Sequence, residues 1–218
     1  MDNMLKTKKR GNLIVISGPS GAGKGSVTAK VLESMDNIKL SISYTSRKIR
    51  GQEQNGKEYF FISKEEFENL ISQGEFLEYA EYSFNYYGTS KSQVNKMLDQ
   101  GIDVILEIEV QGALQIKNMI EDAIFIFIVP PTMKELKRRL VNRQTDSKEQ
   151  IFNRFKTAYK EINEYTKYNY VVTNDNLEDA VNKVKAIINA EKCRVDRIID
   201  VDLGNIEEEI HEELIDFN

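Results

Sequence analysis

One cysteine and one histidine in 218 residues exclude several common chemistries. The lone thiol, Cys193, cannot form an internal disulfide, and such sparse cysteine usage fits a reducing cytoplasm. The single imidazole, His211, lies in an acidic tail, so neither a His/Cys zinc site nor a Ser-His-Asp triad can be assembled. No apolar run approaches the ~20 residues of a membrane span. The first eleven residues carry no apolar stretch that would act as a secretory signal. Positive charge is not in excess either. Thirty Lys and Arg face thirty-five Asp and Glu, for a net charge of −5, which argues against a nucleic-acid partner. The cluster Lys6, Lys8, Lys9 and Arg10 therefore reads as a solvated basic leader. What remains for chemistry is carboxylates, lysine, arginine, backbone amides and a metal brought in with a substrate.

The 40% hydrophobic and 30% charged residues are those of an ordinary globular protein, with length for one sizeable domain and a small insert. Asn12 to Ser17 (NLIVIS) is the continuous apolar run of a strand buried on both faces. A glycine-rich turn follows, and then Val27, Val31 and Leu32 at helical spacing. Strand and helix signals alternate again: strand over 102–110, helix over 112–119, strand over 123–129, and a helix capped by Thr132. A last short strand over 170–173 and a closing helix bearing Leu177, Val181, Val184 and Ile188 complete the pattern. This alternation predicts an α/β fold with a parallel sheet flanked by helices.

Two stretches break the pattern. Between Ser41 and Ser90 tyrosines concentrate, and 58–62 and 76–84 alternate like antiparallel strands around a short helix at 64–72. This is read as an inserted α+β lobe. The stretch 137–154 is arginine-rich and polar, with no apolar stripe beyond Leu140, as in a charged helical lid. The expected organisation is a leader at 1–11 and a main domain at 12–192. That domain divides into core segments 12–40, 91–136 and 155–192, the lobe 41–90 and the lid 137–154. An acidic extension at 193–218 follows. In it Leu203, Ile206, Ile210, Leu214 and Phe217 recur at helical spacing, and the sequence leaves open whether that face folds back or meets a second copy or partner.

The sharpest local signal is Gly18-Pro19-Ser20-Gly21-Ala22-Gly23-Lys24-Gly25-Ser26, set between a buried strand and a helix. This is the G-x-x-x-x-G-K phosphate loop, whose consecutive N–H groups cradle a β-phosphate while Lys24 bridges the β- and γ-phosphates. The helix dipole adds to the attraction. The Ser/Thr that normally follows the lysine and helps to hold Mg²⁺ is Gly25, which leaves Ser26 as the nearby hydroxyl.

With GPSGAGKGS, the segments SISYTSRKIRGQEQNGKEYFFIS, EFLEYAEYSFNYYGTS and ILEIEVQG occur in an order and spacing that resembles the guanylate kinase family of nucleoside-monophosphate kinases, over residues 12–192. The resemblance implies ATP and GMP or dGMP as substrates, Mg²⁺ as cofactor, and no nucleic-acid or membrane partner. It also implies that Arg47 and Arg50, with Tyr59 and Tyr87, clamp the acceptor phosphate, and that Glu78, Ser43, Thr89 and Glu109 hold guanine. Glu109 stands where the family usually has aspartate. Glu107, two residues earlier and on the same strand face, is placed for the metal's water shell. Arg139 and Arg143, four apart on one helical face, and Arg154 resemble lid arginines that neutralise charge on the moving phosphoryl group. Asn174, with Asp175, follows the last strand, where the family contacts adenine. A non-catalytic phosphopeptide-binding module, an adenylate-kinase-like enzyme and a nucleic-acid-binding ATPase are the alternatives. An intact ATP loop disfavours the first, the tyrosine-rich lobe and Glu78 the second, and the acidic balance the third.

Overall fold

A computed structural model describes residues 5–82, 84–142 and 148–201. In chain order these form β1 (Leu5–Thr7), β2 (Leu13–Ser17), α1 (Lys24–Ser34), β3 (Ile38–Leu40), β4 (Tyr44–Thr45), β5 (Phe60–Phe61), α2 (Lys64–Ser72), β6 (Phe76–Tyr82) and β7 (Asn85–Ser90). The chain continues through α3 (Lys91–Asp99), β8 (Asp103–Glu107), α4 (Val110–Lys117), β9 (Ile124–Val129), α5 (Met133–Val141) and α6 (Lys148–Ile162). It ends with β10 (Tyr170–Thr173), α7 (Leu177–Lys192) and β11 (Ile198–Val201).

The core is a five-stranded sheet in the order β10-β9-β2-β8-β3, every neighbouring pair parallel. The apolar runs that predicted doubly buried strands are buried: β2 along its whole length, β8 to Leu106 and β9 to Ile128. One face packs Ile14, Ile16 and Ile126 against Val27 and Val31 of α1 and Val184 and Ile188 of α7. The other packs Val15, Leu106 and Phe125 against Val94 and Leu98 of α3 and Ala113 and Ile116 of α4. Because the strands are parallel, their carboxyl ends all open at one edge, where such sheets bind ligands. Ser17, at the end of β2, leads directly into the phosphate loop there.

The inserted segment forms a second sheet, β5-β4-β7-β6, with β7 antiparallel to β4 and β6. Helix α2 spans the predicted residues, because Ser63 and Glu66 form a reciprocal capping box at its start. The strand expected over 58–62 is confined to Phe60–Phe61, and Tyr59 is left in an isolated bridge with Asn55.

Three readings need correction. Residues 170–173 are not the last strand. Leu5–Thr7, in the stretch read as a solvated leader, pairs antiparallel with Ile198–Val201. Segments of three and four residues, some 190 apart, carry too short an alternation to be recognised singly. Second, an apolar stripe does extend beyond Leu140. Ile151, Phe155, Ala158 and Ile162 run down α6 and pack with Leu136 and Leu140 of α5, so the charged stretch is anchored on a small core of its own. Third, β8 ends at Glu107, and Glu109 is the N-cap of α4, so the two acids do not share a strand face. Arg143 and the amphipathic segment bearing Leu203 to Phe217 lie outside the described residues.

Candidate active site

The phosphate loop turns between β2 and α1, and Gly23 takes φ +91° at the helix N-cap. A Cβ there would lie 2.3 Å from Nδ2 of Asn174, so the position admits only glycine on both conformational and steric grounds. Asn174 is the reason for that closeness. It is buried, and its side-chain amide donates to the carbonyl of Ala22 at 2.8 Å, bracing the loop from behind. Arg139 adds a second brace. Its guanidinium donates to the carbonyls of Ala22 (3.3 Å) and Asn174 (2.9 Å) and to Glu135 (2.8 Å). Glu135, which the sequence reading passed over, is held near pKa 2 by Arg138 and Arg139 and aims the latter across the loop. Asp175 is exposed beside it.

Lys24 points into the loop, donating from Nζ to the Gly18 carbonyl at 2.7 Å, with Glu109 3.7 Å away. Glu107 is half-buried at the carboxyl end of β8. Burial pushes its carboxyl above the usual glutamate range, and the Lys24 ammonium draws it back. A Cβ at Gly25 would come within 3.4 Å of Glu107 Oε1, so the glycine leaves this carboxylate facing bare backbone beside the phosphate cradle. Hard oxygen donors in that position, with exposed Ser26 in the first turn of α1, fit a hydrated divalent cation held through its waters.

In the inserted lobe, Arg47 is buried and its guanidinium grips Glu53 with two parallel bonds of 2.8 Å. A third N–H donates to the Lys48 carbonyl, and the Tyr87 hydroxyl also approaches the guanidinium. The ring of Tyr59 lies 5.3 Å from the guanidinium carbon and meets Tyr87 edge-on at 5.9 Å. Arg50 is exposed, and its backbone N–H also donates to Glu53. Glu53 was not anticipated, because it lies six residues from Arg47 in an irregular loop with no period to betray it. Arg47, ahead of the Arg50 N–H, holds its carboxyl at about pKa 2. Since that value is depressed, the stabilisation is complete above the ordinary carboxylate range and is lost as pH falls toward 2. Acid titration should therefore unfasten Arg47 over that window, and the Tyr59 and Tyr87 ring signals in NMR spectra should shift with it. Rings unmoved as the pH is lowered from 5 to below about 2 would refute the coupling.

Glu78 is 8% exposed, although its place in an alternating run reads as solvent-facing. A register shift between Phe76 and Glu78 buries Leu77 and Glu78 in succession. Thr89, opposite it on β7, donates to Oε1 at 2.6 Å, and the second oxygen looks at Gly112 of α4. Burial raises this carboxyl above its ordinary value, and the Thr89 bonds oppose the rise. A Cβ on Gly112 would sit 2.6 Å from Oε2. Gly112→Ala should therefore displace the carboxylate and raise KM for the acceptor nucleotide by about tenfold or more, the scale of a misplaced polar contact. KM for ATP should not change, and equal increases in both constants would point to general damage instead. Ser43 is half-buried behind β4, its carbonyl accepting from the Phe60 N–H at 2.9 Å. Glu109 is 70% exposed at the rim.

A parallel sheet whose first strand feeds a glycine-rich phosphate cradle, with cations braced across it and a second, tyrosine-lined anion clamp in an inserted lobe, defines a P-loop phosphotransferase. Residues 10–191 match the family model described as guanylate kinase. The guanylate kinase of Clostridium perfringens is 54% identical over 216 residues, covering 99% of this chain and 100% of the relative. That of Clostridium tetani is 56% identical over 208 residues, covering 95% and 100%. The crystal structure of guanylate kinase from Anaplasma phagocytophilum superposes with a TM-score of 0.72 at 33% identity, over 97% of this chain and 98% of that one. The chain belongs to the guanylate kinase family.

Proposed function

We propose that the protein transfers the γ-phosphoryl group of ATP to GMP or dGMP, giving ADP and GDP or dGDP, in the purine metabolism of the cytoplasm. The observation that carries the choice of acceptor is the buried carboxylate of Glu78, held by Thr89 against Gly112. Such a site takes a base that presents N1–H and a 2-amino group side by side. Adenine has an acceptor at N1 and no 2-amino group, so it would strip water from Glu78 without replacing it. Among the described residues no helix is long and apolar enough to cross a membrane.

No side chain has to act as nucleophile or base, because the attacking atom is an anionic oxygen of the GMP phosphate. The protein's part is positioning and charge neutralisation. Arg47 and Arg50, with the hydroxyls of Tyr59 and Tyr87, take the acceptor phosphate. The N–H groups of 18–26 and the Lys24 ammonium take the donor phosphates, and Arg139, Arg143 and Arg154 neutralise the group in flight. Glu107, with Ser26, would hold magnesium through water, and the ion supplies further neutralisation of the β- and γ-phosphate oxygens. Ser43 and Glu109 complete the guanine site, and Asn174 orders the loop behind the nucleotide. The lobe 41–90 and the lid 137–154 would close over the core 12–40, 91–136 and 155–192, excluding water that otherwise hydrolyses ATP.

The deciding experiment follows ADP formation from Mg·ATP with GMP, AMP, UMP and CMP offered separately. Turnover with GMP alone is expected. Turnover with AMP instead would keep the kinase and overturn the role of Glu78. No turnover with any of the four would overturn the enzymatic reading.

A further inference from the structure

We propose that Gln115 of α4 fixes Glu78 in its base-facing position, by holding both backbone polar groups of the next residue along β6, Tyr79. The Tyr79 N–H donates to Oε1 of Gln115, and Nε2 of Gln115 donates to the Tyr79 carbonyl, each at 3.3 Å. The proposal rests on the reading of Glu78 as the guanine carboxylate. It adds to the determinants of that site a residue from the core, 36 positions away from Tyr79.

The pairing answers a weakness of β6. This strand is an edge of the lobe sheet, so along one side its backbone groups have no neighbouring strand. The N–H and C=O of one residue in an antiparallel strand point to the same side. A carboxamide offers an acceptor and a donor side by side, as the peptide groups of another strand would. Gln115 thus replaces one residue of a missing strand. Register matters here, because β6 carries an irregularity between Phe76 and Glu78. A slip of one residue turns each side chain to the opposite face, and would carry Glu78 out to solvent. Tyr79, tied at both backbone groups to α4, blocks that slip.

Helix α4 can serve as the reference because it is itself fixed. Its Ala113 and Ile116 are buried in the cluster that holds Val15 and Leu106 of the central sheet, and Leu77 of β6 joins the same cluster. Gly112 and Gln115, three apart, lie on one face of the helix. The first leaves room for Oε2 of Glu78, and the second takes the following residue. Three successive residues of β6 are therefore set by the core: Leu77 by packing, Glu78 by its fit against Gly112, and Tyr79 by Gln115. Both bonds of Gln115 are long and lie near solvent, so they add little to stability, and their effect falls on where Glu78 sits. Gln115 is a positioning residue, acting through Glu78.

The test uses Gln115→Met, which keeps the length of the side chain and removes both hydrogen-bonding groups. Gln115→Glu, which keeps an acceptor for the Tyr79 N–H but sets a carboxylate against its carbonyl, serves should the first variant fold poorly. Calorimetry measures the binding of GMP and of the non-hydrolysable analogue AMP-PNP with Mg²⁺ separately, and steady-state kinetics gives KM for each substrate. Kd and KM for GMP should rise about tenfold, the scale of a misplaced polar contact, while the values for AMP-PNP and ATP hold. In a Glu78→Gln background the same substitution should lower kcat/KM for GMP by a further factor below about two, because it acts through Glu78. A merely structural role lowers Tm and leaves GMP affinity unchanged. Unchanged GMP affinity, equal shifts for both nucleotides, or full additivity with Glu78→Gln would overturn the proposal. GMP turnover of the wild type is assayed in parallel; its absence would refute the kinase reading itself, whereas its presence beside an unaffected variant refutes only the role of Gln115.

Discussion

Lys24→Ala should lower kcat for GMP phosphorylation by at least ~10³-fold, as loss of a cation from a migrating phosphoryl group does in related systems, with little effect on folding. The ammonium reaches inside the loop, with its side chain only 10% exposed and Nζ on the Gly18 carbonyl. No backbone amide can move to replace it, since the loop is braced by Asn174 and Arg139. The core beneath, from Ile14 and Ile16 to Val27 and Val31, does not involve the ammonium. The fold loses one hydrogen bond worth about 1 kcal/mol and a long pair with an exposed Glu109 worth about 0–1 kcal/mol. For a chain of this size that is a shift of only a few degrees in Tm, roughly 2–4 °C per kcal/mol. A coupled assay and a thermal melt on one preparation check both halves. Turnover near the wild-type rate would remove Lys24 from the mechanism.

The second large effect is expected at Glu78. In Glu78→Gln the amide oxygen can still accept from Thr89, so the side chain should stay in place. The oxygen next to Gly112, however, becomes an NH₂ group aimed at the N1–H and 2-amino donors of guanine. Donor meets donor in a buried site. The loss in kcat/KM for GMP should approach the ~10⁴ by which polar sites reject a ligand that leaves them unpaired, while KM for ATP holds. AMP, with an acceptor at N1, should lose far less, so the GMP/AMP ratio is the sharper readout. A loss below tenfold would take the base-recognition role from Glu78. In the wild type, protonation should imitate this substitution. Burial raises the Glu78 carboxyl, so KM for GMP should begin to climb at a pH above the ordinary glutamate range as the solution is acidified.

Much of this molecule is legible from its chain. The buried runs 12–17 and 123–129 and the helices between them have lengths and periods that leave few alternatives. The phosphate loop is a contiguous motif in which every functional group is backbone or an immediate neighbour. Lys24 could be nominated from the loop motif itself, and Arg47, Glu78 and Arg139 because the short runs that hold them resemble those of the guanylate kinase family; alone, Glu78 and Arg139 read as solvent-facing. The supporting shell could not be nominated. Glu53 aims Arg47 from an irregular loop, and Glu135 aims Arg139 from a helix where it passes as one more surface acid. Gly112 makes room for Glu78 from another element altogether. No single stretch records these pairings, since each partner is unremarkable until the chain brings the other beside it.

The sequence by itself determined the parallel α/β core, the phosphate loop with its lysine, and the inventory of charge left once thiols and imidazoles are excluded. These follow from local periodicity and composition, which the chain carries whether folded or not. Tertiary structure alone decided that Glu78 is buried, by shifting the register of one strand pair. It alone decided that Asn174 and Arg139 brace the loop from behind, and that the two ends of the described chain pair as strands. Each of these depends on contacts between residues far apart in sequence, and burial, pKa and steric fit have no value until those contacts form.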